Sequence, residues 1–409
     1  MNGMSSYRRR LMAGAYPKEL PNYLCFTALE DGTFSFRYGS GARSAGGLYI
    51  EYSIDGKTWV RTESINLKEQ IITTPTIRAG EKVYWRGYNN ALGSGGGDSN
   101  FLSTGAFDVS GDCGSILRKN DFSYVITSYN GIRKLFINCK IVNAADLILP
   151  KFTNVGCFSQ MFSGCSSLVS APNFHNDRLS VDCYSGMFKN CTSLITVPFV
   201  LDYTTLQGGC YNEMFSGCTS LTTSPLKGGS YSVPSQAFKY MFNNCKNLVN
   251  VEDLYITGIG QSGLQHLANM FTNCVQLVHS PIKSFPKQIW QYCYFELFKG
   301  CTNLIDCPEL PAETLANLCY NNMLNNTKIT WIKMLATDIS AKNCLTYWVK
   351  NVPNVNTSVF VKHIDAQWTT TGDSGVPTNW KVIYYDPALD KYFLDQQRSQ
   401  ECDDHGNPI

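Results

Sequence analysis

One short motif returns along the chain at a nearly constant interval, and that interval limits the folds open to it. Met161-Phe162-Ser163-Gly164-Cys165 recurs as Met187-Phe188-Lys189-Asn190-Cys191, Met214-Phe215-Ser216-Gly217-Cys218, Met241-Phe242-Asn243-Asn244-Cys245, Met270-Phe271-Thr272-Asn273-Cys274 and Leu297-Phe298-Lys299-Gly300-Cys301. A decayed copy stands at Met323-Leu324-Asn325-Asn326-Thr327. Successive copies lie 26, 27, 27, 29, 27 and 26 residues apart. Units this short cannot bury their own apolar faces, so they must stack and share one continuous core.

Within a unit, Cys157, Cys183, Cys210, Cys293 and Cys319 stand four residues before the Met or Leu that opens the motif, and the later cysteine stands four after it. Residues at i, i+4 and i+8 share one face of a helix, so Cys183, Met187 and Cys191, with Tyr184 and Phe188 beside them, predict a short amphipathic helix. Gly164 or Asn190, just before the second cysteine, suits a helix end. A leucine follows three residues later and a proline often closes the segment, as in Leu168 to Pro172 and Leu304 to Pro308, which predicts a short strand. The expected class is therefore an α/β repeat, a leucine-rich-repeat-like solenoid of about seven units behind a small β-sandwich.

The flanks set the expected domain limits. Residues 1–22 read as an N-terminal arm carrying Arg8, Arg9 and Arg10, which either docks on an acidic surface or simply starts the chain in solvent. Residues 23–110 switch to short alternating runs, Leu24–Ala28, Thr33–Tyr38, Gly47–Ser53, Thr58–Arg61, Lys82–Tyr88 and Gly105–Val109, separated by turn signals such as Asp31-Gly32. Residues 111–156 read as a linker and N-terminal cap, 157–328 as the solenoid, 329–386 as the C-terminal cap and 387–409 as an extended tail.

The tract from Cys301 to Tyr320, with Leu304, Pro308, Leu310 and Pro311, resembles the unit of BspA-like leucine-rich repeats, and the resemblance spans roughly residues 140 to 385. Gly375 to Val382, around Trp380, is similar to that family's closing element, and Tyr23 to Phe34 to the small β-domain that often precedes such repeats. The resemblance implies adhesion and protein–protein contact in bacterial surface proteins or the phages that infect those bacteria, with no catalytic residues to carry over.

Charge and cysteine chemistry narrow the function. Charged residues make up 16% of the chain and the net charge is +2, so nucleic acid and acidic membranes are poor partners. Leu11 to Ala15 is too short for a signal peptide and no apolar stretch could span a bilayer, which leaves a chain made in a cytoplasm without membrane insertion. The 17 cysteines include no CxxC pair and mostly keep repeat positions, so they read as small buried hydrophobes. Cysteines eight apart on a helix would be about 12 Å apart, too far to share a zinc ion, and neither a metal site nor a cofactor is expected.

The remaining candidates have plain readings beside sharper ones. Gly93-Ser94-Gly95-Gly96-Gly97-Asp98 lacks the Lys and Ser/Thr of a phosphate loop and reads as a flexible connection. Asp403, Asp404 and His405 could hold a cation or lie solvated near the terminus. The histidines His175, His266, His279, His363 and His405 are scattered, and Asp306 with Glu309 marks the variable face of one repeat, so no enzyme is expected. Gly228-Gly229-Ser230-Tyr231 reads as an inter-repeat connection of a type also found in binding loops. The candidate contact surface is the outward strand column Ser170, Thr196, Thr223, Asn250, His279 and Asp306.

These observations predict a non-enzymatic structural or binding protein on a virion, as a head or tail fibre, decoration or host-attachment protein. Its partners would be other virion proteins or a host surface protein or glycan, and it would be a homo-oligomer. The alternative is a bacterial cell-surface adhesin.

Overall fold

The structure, a computed structural model, describes residues 22–39, 49–61, 71–89, 92, 98–118, 131–150, 154–173, 178–260 and 264–409. Arg8, Arg9, Arg10, Gly93 to Gly97 and His175 lie outside the described residues.

The N-terminal runs form β1 (Leu24–Ala28), β2 (Phe34–Arg37), β3 (Tyr49–Ser53), β4 (Val60–Arg61), β5 (Ile71–Thr73), β6 (Lys82–Tyr88), β7 (Asn100–Ser103) and β8 (Phe107–Asp112). One sheet runs β4-β3-β6-β1-β8 and the other β5-β2-β7. Their inner faces meet through aromatic rings because each strand alternates, as in β6, where Val83, Trp85 and Gly87 are buried between more exposed neighbours. Phe26 of the first sheet lies 5.6 Å from Phe34 and 4.9 Å from Phe101 of the second, edge to face. A four-residue helix, α1 (Ser115–Arg118), follows. The Ser115 hydroxyl there donates to Trp85 O and accepts from the Leu24 amide.

The chain behind this domain is a β-solenoid of about six turns, mostly β with almost no helix, so the expected α/β repeat is corrected. The motif segments are not helices. Every fourth residue has a positive φ, as at Asp182 (54°), Gly186 (61°) and Asn190 (60°), which an α-helix excludes. Two sets of backbone bonds alternate along each segment. Ser185, Met187, Lys189 and Cys191 donate to the carbonyl three residues back, closing successive turns. Tyr184, Gly186, Phe188 and Asn190 donate outward to the carbonyls of Cys210, Asn212, Met214 and Ser216 in the next repeat.

Each interior ribbon amide and carbonyl thus finds a partner, and half of those bonds join neighbouring turns. The apolar pattern favours this arrangement over a helix. Its pairs, Cys183-Tyr184 and Met187-Phe188, repeat every four residues, whereas an α-helix turning 100° per residue would carry position i+8 about 80° round from i. A ribbon of turns keeps every pair on the inner side.

Stacking converts the sequence period into columns. Phe101 of the β-domain, Phe136, Phe162, Phe188, Phe215, Phe242, Phe271 and Phe298 form one run of near-parallel rings with centroids 5.5–5.8 Å apart. Each such contact contributes about 0.5–1.5 kcal/mol beyond simple burial. The first sheet also continues into the solenoid, since β9 (Leu147–Ile148) pairs in parallel with β8 and Asn143 bridges Ser170. The β-domain therefore covers the first turn of the solenoid.

Between ribbons run short parallel strands, among them the sheet of β10 (Gly229–Val233), β11 (Leu254–Ile259) and β12 (Ile282–Ser284). Gly228 to Tyr231, read as a connection, instead leads into β10, and Tyr231 is core, its ring edge-on to Phe238 at 5.6 Å. At the far end β13 (Trp331–Met334), β14 (Val359–His363) and β15 (Lys381–Asp386) continue the parallel stacking. The expected tail is not extended chain. It turns back antiparallel as β16 (Lys391–Phe393) and β17 (Glu401–Cys402), and is pinned by Arg398 on Asp386, Trp331 Nε1 on Asp404 O and Gln396 on the carbonyls of Ile364 and Ala366.

Candidate functional site

The thiols decide whether the interior holds chemistry. All 17 cysteines are free and buried. In the motif column, Cys165, Cys191, Cys218, Cys245, Cys274 and Cys301 each donate, at 3.0–3.2 Å, to the carbonyl of the motif Phe one repeat earlier. That carbonyl already accepts one ribbon bond, and the thiol fills its second lone pair. Burial pushes the Cys165, Cys218 and Cys301 thiols up to about 12, the opposite of an activated nucleophile. In the decayed copy Thr327 keeps a donor, now to its own Leu324 O at 2.9 Å. Among the described residues no group of three or more His, Cys, Asp or Glu side chains is placed to hold a metal ion.

The acidic and histidine candidates are dispersed over separate local contacts. Asp306 accepts from His279 Nδ1 at 2.7 Å and from the Ser280 amide, while Glu309 pairs with Lys333 at 2.9 Å. His266 is fully buried with its Nε2 on Gly260 O, and burial lowers its pKa. Asp403 accepts from the Asn407 side-chain amide at 2.7 Å and from the backbone amides of Asn407 and His405, which together hold its carboxyl below the ordinary range, and His405 lies 3.5 Å from Asp404. Asp98, last of the glycine-rich run, pairs with Lys134 at 2.8 Å.

The polar column forms one edge of the solenoid. Thr196, Thr223, Asn250 and His279 are exposed, and Ser170 and Asp306 are half-buried. Thr223 bridges Asn250 in parallel, and Asn250 Nδ2 reaches Thr223 Oγ1 at 3.4 Å. His279 and Asp306 form the next contact in the row. Neighbouring turns therefore bring these residues into register.

A second column was not singled out by the sequence pattern. Val169, Ile195, Val249, Val278 and Ile305, each one position before a polar-column residue, are 42–53% exposed, with half-buried Thr222 completing the row. Backbone bonds hold its rungs: Val249 donates to Thr222 O, Thr222 to Ile195 O and Ile305 to Val278 O, at 3.0–3.1 Å. The signal was present, because these residues follow the motif leucine at the same spacing. Their outward direction became visible only once the strand was placed against the core. The combined edge offers a stiff aliphatic row beside a row of hydroxyl, amide and imidazole groups.

No family model, curated protein or solved structure matches the chain.

Proposed function

We propose that this chain is a non-enzymatic display protein, a phage-particle component such as a head or tail fibre, decoration or host-attachment protein, whose solenoid makes protein or glycan contacts. The observation that carries the reading is the doubled edge, Val169/Ser170 through Ile305/Asp306, in which backbone bonds link Ile195 to Thr222, Thr222 to Val249, and Val278 to Ile305. A surface fixed by main-chain bonds binds without ordering flexible loops, which lowers the entropy cost of association.

The thiol columns favour the virion over an exported adhesin. Seventeen buried reduced thiols suit a chain that folds in a reducing cytoplasm and leaves by lysis, since an oxidising export route would expose the unfolded chain to disulfide formation. The resemblance to BspA-like repeats is compatible with either setting.

Mass spectrometry of purified particles from a lysate carrying this gene tests the proposal. The chain in stoichiometric amount within particles is the expected result. Its recovery in bacterial envelope fractions alone would overturn the virion reading and leave the surface adhesin.

A further inference from the structure

We propose that the interior of the solenoid carries a water-binding site between Tyr294 and Tyr320, where one ordered water bridges the two phenol oxygens. Both side chains are fully buried, and neither Oη has a protein partner within hydrogen-bond distance. Leaving a buried hydroxyl unbonded is costly, and buried polar groups that no protein atom serves are as a rule served by internal water.

The spacing fits that occupant. The two rings hold equivalent positions in neighbouring turns, stacked at 14° with centroids 5.9 Å apart. Rings so aligned carry their oxygens about one such spacing apart, which is too far for a direct bond. It is about twice the ~2.8 Å of an O–H···O bond, so one water placed midway reaches both.

The inner column itself points the same way. From residue 158 to residue 320 tyrosine enters it only as adjacent pairs, Tyr184 with Tyr211 and Tyr294 with Tyr320, while Phe158, Phe238 and Leu267 fill the other turns. The earlier pair stacks at 6.2 Å, and there a loop tyrosine, Tyr203, brings its hydroxyl to Tyr184. Beside the later pair the loop ring is Phe285, 4.6 Å from Tyr294, and it has no polar atom to offer.

The surroundings select a small neutral molecule. The thiols whose charge would act on Tyr320 are those of Cys319, Cys293 and Cys307, and burial pushes all three up, as it does both phenols. An ion would lose its hydration there and meet no opposite charge. Water carries no charge and can accept from one phenol while donating to the other.

Removing each hydroxyl tests the site by the sign of the effect. Tyr294→Phe and Tyr320→Phe each take one partner from the water, so each should lower the urea midpoint of the full chain. The double variant should lose less than the two single losses together, because the water is shared. Without a bridging water the same changes delete an unbonded buried hydroxyl and should raise the midpoint. Tyr255→Phe, at an exposed position of β11, should leave it unchanged. A high-resolution crystal structure of the chain is the second measurement, with density for one water within about 3 Å of both oxygens as the expected result. A raised midpoint in either single variant, or no density between the two phenols, would overturn the proposal.

Discussion

At Gly217 a larger residue should be tolerated better than a smaller one, and the ribbon geometry says why. Gly217 holds φ 78° and sends its amide to Asn243 O at 2.8 Å in the next turn. A Cβ there would overlap Asn190 Oδ1, which folds over the glycine from the preceding turn. Gly217→Ala therefore carries two costs. The left-handed backbone costs about 1–2 kcal/mol for an L-residue with no compensating side-chain bond. Pushing Asn190 away costs a further contact, on the order of 0.5–1 kcal/mol.

Gly217→Asn meets the same column differently. Asn visits this backbone region readily, and the structure already stacks two asparagines at this position elsewhere: Asn273 Nδ2 donates to Asn244 Oδ1 at 2.9 Å and Asn351 Nδ2 to Asn326 Oδ1 at 2.7 Å. The asparagine variant should lose under about 1 kcal/mol while the alanine variant loses about 2, despite alanine's better helix propensity. Equilibrium urea unfolding with a common slope measures the difference. An alanine variant as stable as the asparagine variant would refute the left-handed ribbon and restore a helix at this motif.

Three further outcomes follow from the same structure. The native chain should react negligibly with an aromatic disulfide reagent, whereas all 17 thiols should react in denaturant, because burial and carbonyl contacts keep them protonated and shielded; rapid native titration of the motif thiols would contradict the packing. Burial pushes the Asp112 carboxyl from 3.8 up to about 6, against the Gly114 amide bond that lowers it. Folding then resists ionisation, so this group costs stability as pH rises from about 4 to 6, and Asp112→Asn should gain up to about 3 kcal/mol at pH 7 and little at pH 3, read from unfolding at both. Removing residues 387–409 strips β16 and β17 from β15 and uncovers a full-length parallel edge, so the truncated chain should aggregate or associate in light scattering where the intact chain does so far less.

The sequence by itself determined that the chain stacks, where each repeat begins and which residues face inward. Those properties follow from spacing, and Met187, Phe188, Cys191 and Leu194 are buried as their positions require. The N-terminal strands were legible for the same reason: β1 and β6 match the alternating runs residue for residue, while β5 and β7, short runs of three and four residues, passed unnoticed. The candidate polar column was legible as a register, and the aliphatic row beside it was not.

Tertiary structure alone decided the rest. Positions i, i+4 and i+8 drift round a helix but stay together on a ribbon of turns, and the ribbon forms only where the second half of the amide bonds finds acceptors. Only a neighbouring turn can accept those bonds, as Cys210, Asn212 and Met214 do for Tyr184, Gly186 and Phe188. The fate of residues 387–409 was equally hidden, since two strands of three and two residues acquire their meaning from the open edge of β15. Periodicity is a local property that a single chain displays in its letters. Hydrogen-bond partners one repeat away, and the edge that a terminal segment must cover, exist only once the turns are stacked.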